Sequence, residues 1–413
     1  MPGVGCAPMN DYAEFRRGGR VVFSSLIGIG LGLSPLPFYT LGLFAPHLAQ
    51  AFHWNQATIM SGLLVMTVVI VVMGPVIGWL ADRYGVRRVT LASVVLFSLA
   101  VSGFALQDGS LWRYYATWGV MAAVGAGTLP VTWTRAVNGW FDRRKGFALG
   151  LALTGTGVAA LLLKPYTAWA IDAFGWRGAY VALAALPLVV AWPLALRWFK
   201  EPPAVVVKEG SADAVDGMSL RAALRDRHFW LIGGAFLPIA FAVGGPIPNM
   251  DLLLSTHGLS RPQILVLLPL IGFFVMGGRL VGGWLVDRIW APWVALVLLS
   301  LPVAADLVVI HGPVTPTTAL WLIASLGVAI GMEYDLLAFL ASRYFGARHY
   351  GAIYGALYSF FAIGGGVAPS VYGHFYDATH SFDGILLWGA LGMVAGALAL
   401  CWLGPYRYST PRG

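Results

Sequence analysis

Twelve apolar runs, each of about twenty residues, constrain this chain more than any other feature. Lipid offers no water to pair a backbone N–H or C=O, so each segment must satisfy its own, and a run of that length reads as a membrane-spanning helix. The first six runs lie near 21–50, 57–82, 88–107, 111–140, 147–171 and 178–198. The second six lie near 229–256, 262–286, 292–311, 317–342, 350–376 and 384–404. Only 11% of the residues are charged and 58% are apolar, which excludes a water-soluble globule. Several runs are longer than the bilayer is thick, so tilt is expected. The N-terminal stretch is not read as a signal peptide, because Arg16, Arg17 and Arg20 precede a run too long for one.

Lysine and arginine set the expected orientation. With both termini in the cytoplasm, 20 of the 26 lie on the cytoplasmic side. Arg113, Arg177 and Arg261 lie outside, and Arg135, Lys164 and Arg279 fall within spans. Such asymmetry follows the positive-inside bias, and the expected location is a bacterial inner membrane. The net charge of +8 is spread over separate short loops, so it signals topology and not nucleic-acid binding. Cys6 and Cys401 lie far apart in this topology, so no disulfide, metal or cofactor is expected.

The chain repeats itself. Gly78-Trp79-Leu80-Ala81-Asp82-Arg83 returns 205 residues later as Gly283-Trp284-Leu285-Val286-Asp287-Arg288. Trp140-Phe141 followed by Gly150 returns as Tyr344-Phe345 followed by Gly355. The expected plan is an all-α membrane protein of two six-helix halves, 21–198 and 228–405, related by a pseudo-two-fold. A polar cytoplasmic linker at 199–227, with Pro202, Pro203 and a short helix near 219–226, joins them. Tails occupy 1–20 and 406–413.

GWLADRYGVRR (78–88) resembles the G-x-L-x-D-R-x-G-R-R loop of the major facilitator superfamily, and its place between the second and third spans is the same. NGWFDRRKGFALGLALTGTGVA (138–159), IDAFGWRGAY (171–180) and RYFGARHYGAIYG (343–355) resemble the monocarboxylate-transporter and oxalate–formate-antiporter branch. The resemblance implies a gate in which Gly78, Asp82, Arg83, Gly85, Arg87, Arg88, Asp287 and Arg288 take part. Each aspartate would pack on a helix N-terminus of the opposite half when the cytoplasmic side is closed, and Gly78 and Gly283 would let helices approach. It also implies that Arg279, in the eighth span, grips a substrate carboxylate. There are departures. The second-half loop runs Ile289-Trp290-Ala291-Pro292 in place of glycine and basic residues. The first span has no lysine, Val275 stands where animal carriers have an aspartate, and the oxalate carrier's span-11 lysine is absent. The relatives' substrate and coupling scheme is therefore not carried over.

Charges within spans are functional candidates, because a charge at mid-bilayer costs at least about 2.5 kcal/mol. Arg279 lies eight residues before Asp287, about 12 Å from the cytoplasmic end, where a guanidinium can hold a carboxylate bidentately. Arg135 lies at similar depth and serves either the substrate or the gate with Asp82. Lys164, before Pro165, is either a second anion anchor or a snorkelling side chain. Tyr39 lies in a first span interrupted by Pro35 and Pro37, and Asn249 and Asp251 follow Pro246 and Pro248 in a broken seventh span; interrupted helices favour binding sites. Glu333, Asp335 and Asp251 are the candidate proton-coupling acids, the first two facing different ways at i, i+2. Asp306 is expected at the interface. Trp133, Tyr166, Trp169, Tyr334 and Tyr358 either line a cavity or pack.

The function expected is secondary transport of a small organic anion with protons, by alternating access in the lipid bilayer. Anion exchange is the alternative. A membrane enzyme is disfavoured, since no H-E-x-x-H or G-x-S-x-G occurs. A receptor that binds without translocating is the remaining rival.

Overall fold

The computed structural model describes residues 11–141, 145–201, 217–286, 288–346 and 349–408. Span 1 comprises Asp11–Gly30 and Pro35–Phe52. Span 2 is Gln56–Tyr84, span 3 Val86–Ser102, and span 4 Leu111–Gly125 with Pro130–Trp140. Spans 5 and 6 form one run, Lys145–Leu153 and Gly155–Leu186, then Pro187–Ala191 and Trp192–Trp198; it turns at Gly175, whose φ is 68°. Span 7 is Arg227–Gly244 with Pro246–Thr256, and span 8 Arg261–Leu267 with Leu270–Val286. Span 9 is Ala291–His311, span 10 Pro316–Phe345, span 11 Tyr350–Thr379 and span 12 Asp383–Leu400.

Among the described residues ten helical stretches are long and apolar enough to cross a membrane. The plan reaches twelve because 147–198 holds two spans, and because a 3-10 turn at Ala126–Thr128 divides span 4 into shorter pieces. Polar residues start the helices at the turns. Asn55 accepts from Thr58 N at 2.9 Å, and Ser260 and Gln263 form a capping box. Of the 199–227 linker, 202–216 lie outside the described residues; Leu220–Ala223 form a short helix capped by Ser219.

The breaks inside spans are repaired by side chains, as hydrocarbon demands. Leu33 N, in the break of span 1, donates to Thr128 Oγ1 at 2.9 Å, in the break of span 4. Gly245 O, in the break of span 7, accepts from Asn249 Nδ2 at 2.9 Å.

Each half has its own apolar core. A third cluster joins them: Tyr39 and Ala160 of the first half share it with Met250, Leu254 and Ile271 of the second. This shared core lies toward the end of the bundle opposite the termini, called here the far end.

Candidate substrate site and gates

Glycine brings spans 8 and 10 together. A Cβ on Gly331 would fall 2.2 Å from Val275 O and 2.7 Å from Arg279 N, so only glycine permits this contact. One turn on, Asp335 reaches Arg279. Its Oδ2 lies 3.5 Å from Nε, within ion-pair range but without hydrogen-bond geometry. Arg279 is 7% exposed, and its Nε and Nη1 lack an acceptor. The Asp335 side chain is 32% exposed, so the pair is reachable from one side. Glu333 turns elsewhere: it is buried, and Oε2 has no partner. Tyr39 is within electrostatic range of both Arg279 and Glu333, and so faces this centre from the first half.

The halves are clamped at the far end. Asp377 of span 11 accepts the backbone N–H of Gln56 at 3.1 Å and of Ala57 at 2.8 Å, capping span 2. Gln56 Nε2 donates to Asn249 Oδ1 at 2.8 Å. Arg261, at the start of span 8, meets Asp172 of span 5 at 3.2 Å. Backbones touch below these clamps. A Cβ on Gly272 would sit 2.2 Å from Gly157 O, and one on Gly42 would sit 2.3 Å from Pro248 O.

The termini end is different. A Cβ on Gly78 or Gly283 would meet nothing within 4 Å. Among the described residues, their expected role in close approach is not fulfilled in this conformation. Pro130–Trp140, Lys145–Leu153 and Trp192–Trp198 pack against elements of their own half. The 83–88 loop is also tied within its half. Arg87 donates from Nε to Phe199 O at 2.8 Å and from Nη2 to Leu196 O at 2.7 Å, while Glu201 Oε1 accepts from Arg87 N at 2.9 Å. An arginine thus caps the C-terminus of span 6 and a carboxylate the N-terminus of span 3. Gly85 (φ 89°) is needed here, since a Cβ would fall 2.6 Å from Glu201 Oε1. Arg83 lies over Trp79 at 5.5 Å and Arg288 over Trp284 at 4.2 Å, the same arrangement in both halves. Arg88 is exposed. Asp287 and the side chain of Asp82 lie outside the described residues.

Other expected site residues are redistributed. Asn249, expected to bind substrate, spends its amide on Gln56, Gly245 O and Pro369 O and is a clamp residue. Lys164 is 4% exposed, so it does not snorkel; it lies in electrostatic range of Asp251 across the half interface. Arg135 is exposed. Asp306 is not interfacial: it is 2% exposed, its Oδ1 is without a partner, and it lies near Tyr372. It lies on the helix face that Pro302, Ala305 and Val309 bury, while Leu307 beside it is exposed, and position along the span could not reveal which face it takes. Trp133 is core, its Nε1 bonded to Thr128 O. Tyr166 bonds Ala182 O, and Trp169 is exposed.

Sequence reasoning missed Gln56, Asp172, Asp377 and Glu201 as clamp and loop residues. A signal for three of them was present. Asp172 and Asp377 are 205 residues apart, and so are Gln56 and Arg261 at the receiving helix starts, the same offset as the repeated hinge.

The family model of the Major Facilitator Superfamily matches residues 27–369. The chain belongs to the Major Facilitator Superfamily. Like its family it is a multi-pass membrane transporter. It is 30% identical over 363 residues to a 38 kDa protein in the 23S RNA operon of Thermoproteus tenax, a match covering 87% of this chain and 90% of that one. It is 32% identical over 287 residues to monocarboxylate transporter 11 of Homo sapiens, covering 66% of this chain and 57% of that one. A bacterial homologue of the human lysosomal transporter Spinster, solved inward-facing and unoccupied, has the same fold at TM-score 0.65 and 17% identity over 96% of both chains.

Proposed function

We propose that the chain moves a small organic anion, a monocarboxylate, across the membrane by alternating access and with proton symport. Arg279 is the observation that carries this reading: a buried guanidinium with two donors lacking acceptors, beside a carboxylate held just short of a hydrogen bond. An arriving carboxylate completes those donors bidentately and competes with Asp335 for them. Asp335, released from its cation in a poorly hydrated site, takes up a proton. The empty site holds Arg279⁺ and Asp335⁻; the loaded site holds Arg279⁺, substrate anion and neutral Asp335. Net charge is zero in both, so neither state carries an excess charge past the apolar core. A pure exchanger needs no titrating group, and Asp335 at Arg279 favours symport over it. The likeness to monocarboxylate transporter 11 supports the class of acid.

The arginine and lysine distribution supports both termini in the cytoplasm, in a bacterial inner membrane. The termini end is then cytoplasmic and the present state inward-open. The rocking bodies are 21–198 and 228–405, with 199–227 as linker. Asp82, Asp287 and Arg135 belong to the gate that closes the termini end. Lys164 and Asp251 form a charge pair at the half interface that the anion passes, and Glu333 is a second proton carrier.

The test is uptake of labelled monocarboxylates into proteoliposomes, with and without an inward proton gradient, for wild type and Arg279→Ala. Gradient-driven uptake lost in Arg279→Ala is expected. Uptake that ignores the gradient and requires internal anion would replace symport by exchange. No uptake of any acid by well-folded protein would remove the anion reading.

A further inference from the structure

A row of rings runs along span 11 toward the Arg279 centre. Tyr350, Tyr354, Tyr358 and Phe361 occupy one face of span 11 at spacings of four, four and three. Tyr350 and Tyr354 stack at 5.6 Å with planes 7° apart, Tyr354 and Tyr358 lie 6.2 Å apart, and Tyr358 and Phe361 lie 5.5 Å apart at 27°. Tyr334 of span 10 closes the ladder, 6.0 Å from Tyr358 and 4.5 Å from Phe361. The ladder is about 16 Å long, starting from the termini end.

It reaches the charged centre. Tyr354 lies within electrostatic range of both Arg279 and Asp335. The four tyrosines are half-buried: one side of each packs on the core of the second half and the other is left open. Four tyrosines in a row at the edge of a core are an unusual choice if packing were all they did, since leucine fills helix contacts without a hydroxyl to satisfy.

Charge narrows the ligand further. Among the described residues, the charged groups in electrostatic range of Tyr39, Tyr354 and Tyr358 are Arg279, Asp335 and Glu333. One cation can hold one carboxylate. A second carboxylate on the same ligand would face two acids, so a dicarboxylate is disfavoured. A very small hydroxy or keto acid would cover the guanidinium and leave the rings bare.

We infer that the substrate is an aromatic monocarboxylate, its carboxylate on Arg279 and its ring against Tyr354 and Tyr358. This deepens the anion-transport reading and rests on it. Ring-on-ring contact adds to area burial, so an aryl acid binds about tenfold tighter than an aliphatic acid of equal charge and similar size. The contact needs the aromatic face and not the hydroxyl, so phenylalanine is an adequate replacement and leucine is not.

The experiment is calorimetric titration of the purified full chain with phenylacetate, cyclohexylacetate and hexanoate, in wild type, Tyr354→Leu, Tyr354→Phe, Tyr358→Leu and Arg279→Ala. Phenylacetate is expected to bind wild type about tenfold tighter than the other two. The preference should vanish in Tyr354→Leu, phenylacetate falling to the affinity of hexanoate in that variant, and survive in Tyr354→Phe. Equal affinity for all three acids in wild type overturns the aromatic inference and leaves the anion reading standing. So does a preference that persists in both leucine variants. Binding of all three acids that is unaltered in Arg279→Ala, or absent from wild type, overturns both. The wild-type comparison needs no variant to fold.

Discussion

Asp172 and Asp377, 205 residues apart in sequence, do the same job on opposite sides of the pseudo-two-fold: each brings a carboxylate to the start of a helix in the other half. Asp377 caps the first turn of span 2 at the Gln56 and Ala57 amides, and Asp172 meets Arg261 at the first turn of span 8. A carboxylate–dipole contact of the kind expected at the termini end is thus found at the far end. Among the described residues, the side-chain clamps between the halves lie at the far end.

The Asp377 cap is the better of the two clamps, because the Arg261 and Asp172 side chains are 60% and 64% exposed and screened by solvent. Asp377→Ala should cost this closed end about 1 kcal/mol, the worth of a helix cap. The halves should then part more often at the far end. Spin labels at Ala173 and Ser255 should report a larger population of long distances, and Asp172→Ala should change it less.

Glycine contacts separate one conformation from the other. Gly272→Ala places a methyl group 2.2 Å from Gly157 O and should destabilise this state by about 1–3 kcal/mol, read as a lower melting temperature in detergent. Gly78→Ala and Gly283→Ala place a methyl group in open space here and should leave melting unchanged or raise it slightly. Their transport rate should fall all the same, because the cost arises when the termini end closes.

Asp335→Asn should separate binding from coupling. The amide cannot take the proton, yet it leaves Arg279 free for the anion. Counterflow exchange of labelled substrate should persist, while accumulation driven by a proton gradient should be lost. Retained gradient-driven accumulation would move coupling to Glu333.

Asp226, at the N-terminus of span 7 and outside it, predicts an acid limit to stability. Burial alone would raise its pKa. Hydrogen bonds from the His228 amide (2.8 Å) and ring (2.6 Å), with the Arg407 guanidinium, outweigh that and bring it to about 2. A depressed carboxylate stabilises the fold above its unfolded pKa of about 3.9, and the contribution disappears as pH falls through about 2. The side chain is 12% exposed, so the shift corresponds to roughly 2 kcal/mol. Asp226→Asn should therefore lower the melting temperature at pH 7, and the gap to wild type should narrow between pH 4 and 2.

The spans, the repeat and the breaks were legible because hydrocarbon imposes local rules: length, apolarity and proline position act within one segment. Arg279 was legible for the same reason, as a charge that lipid tolerates only with a partner. Its partner was not. Asp335 and Glu333 differ by two positions, and which of them meets Arg279 depends on Gly331 letting span 10 rest on the span 8 backbone. Likewise the stacking of Tyr350 on Tyr354, next to Tyr358, could not be read from residue type and position alone.

By itself, then, the sequence determined a twelve-span, two-half membrane transporter with a cation in its interior, since those features are set along single helices. Which polar groups face one another, and at which end the described clamps join the halves, was decided only by the tertiary structure. Those contacts join residues as far apart as Gln56 and Asp377, through rotations of whole helices that no local pattern encodes.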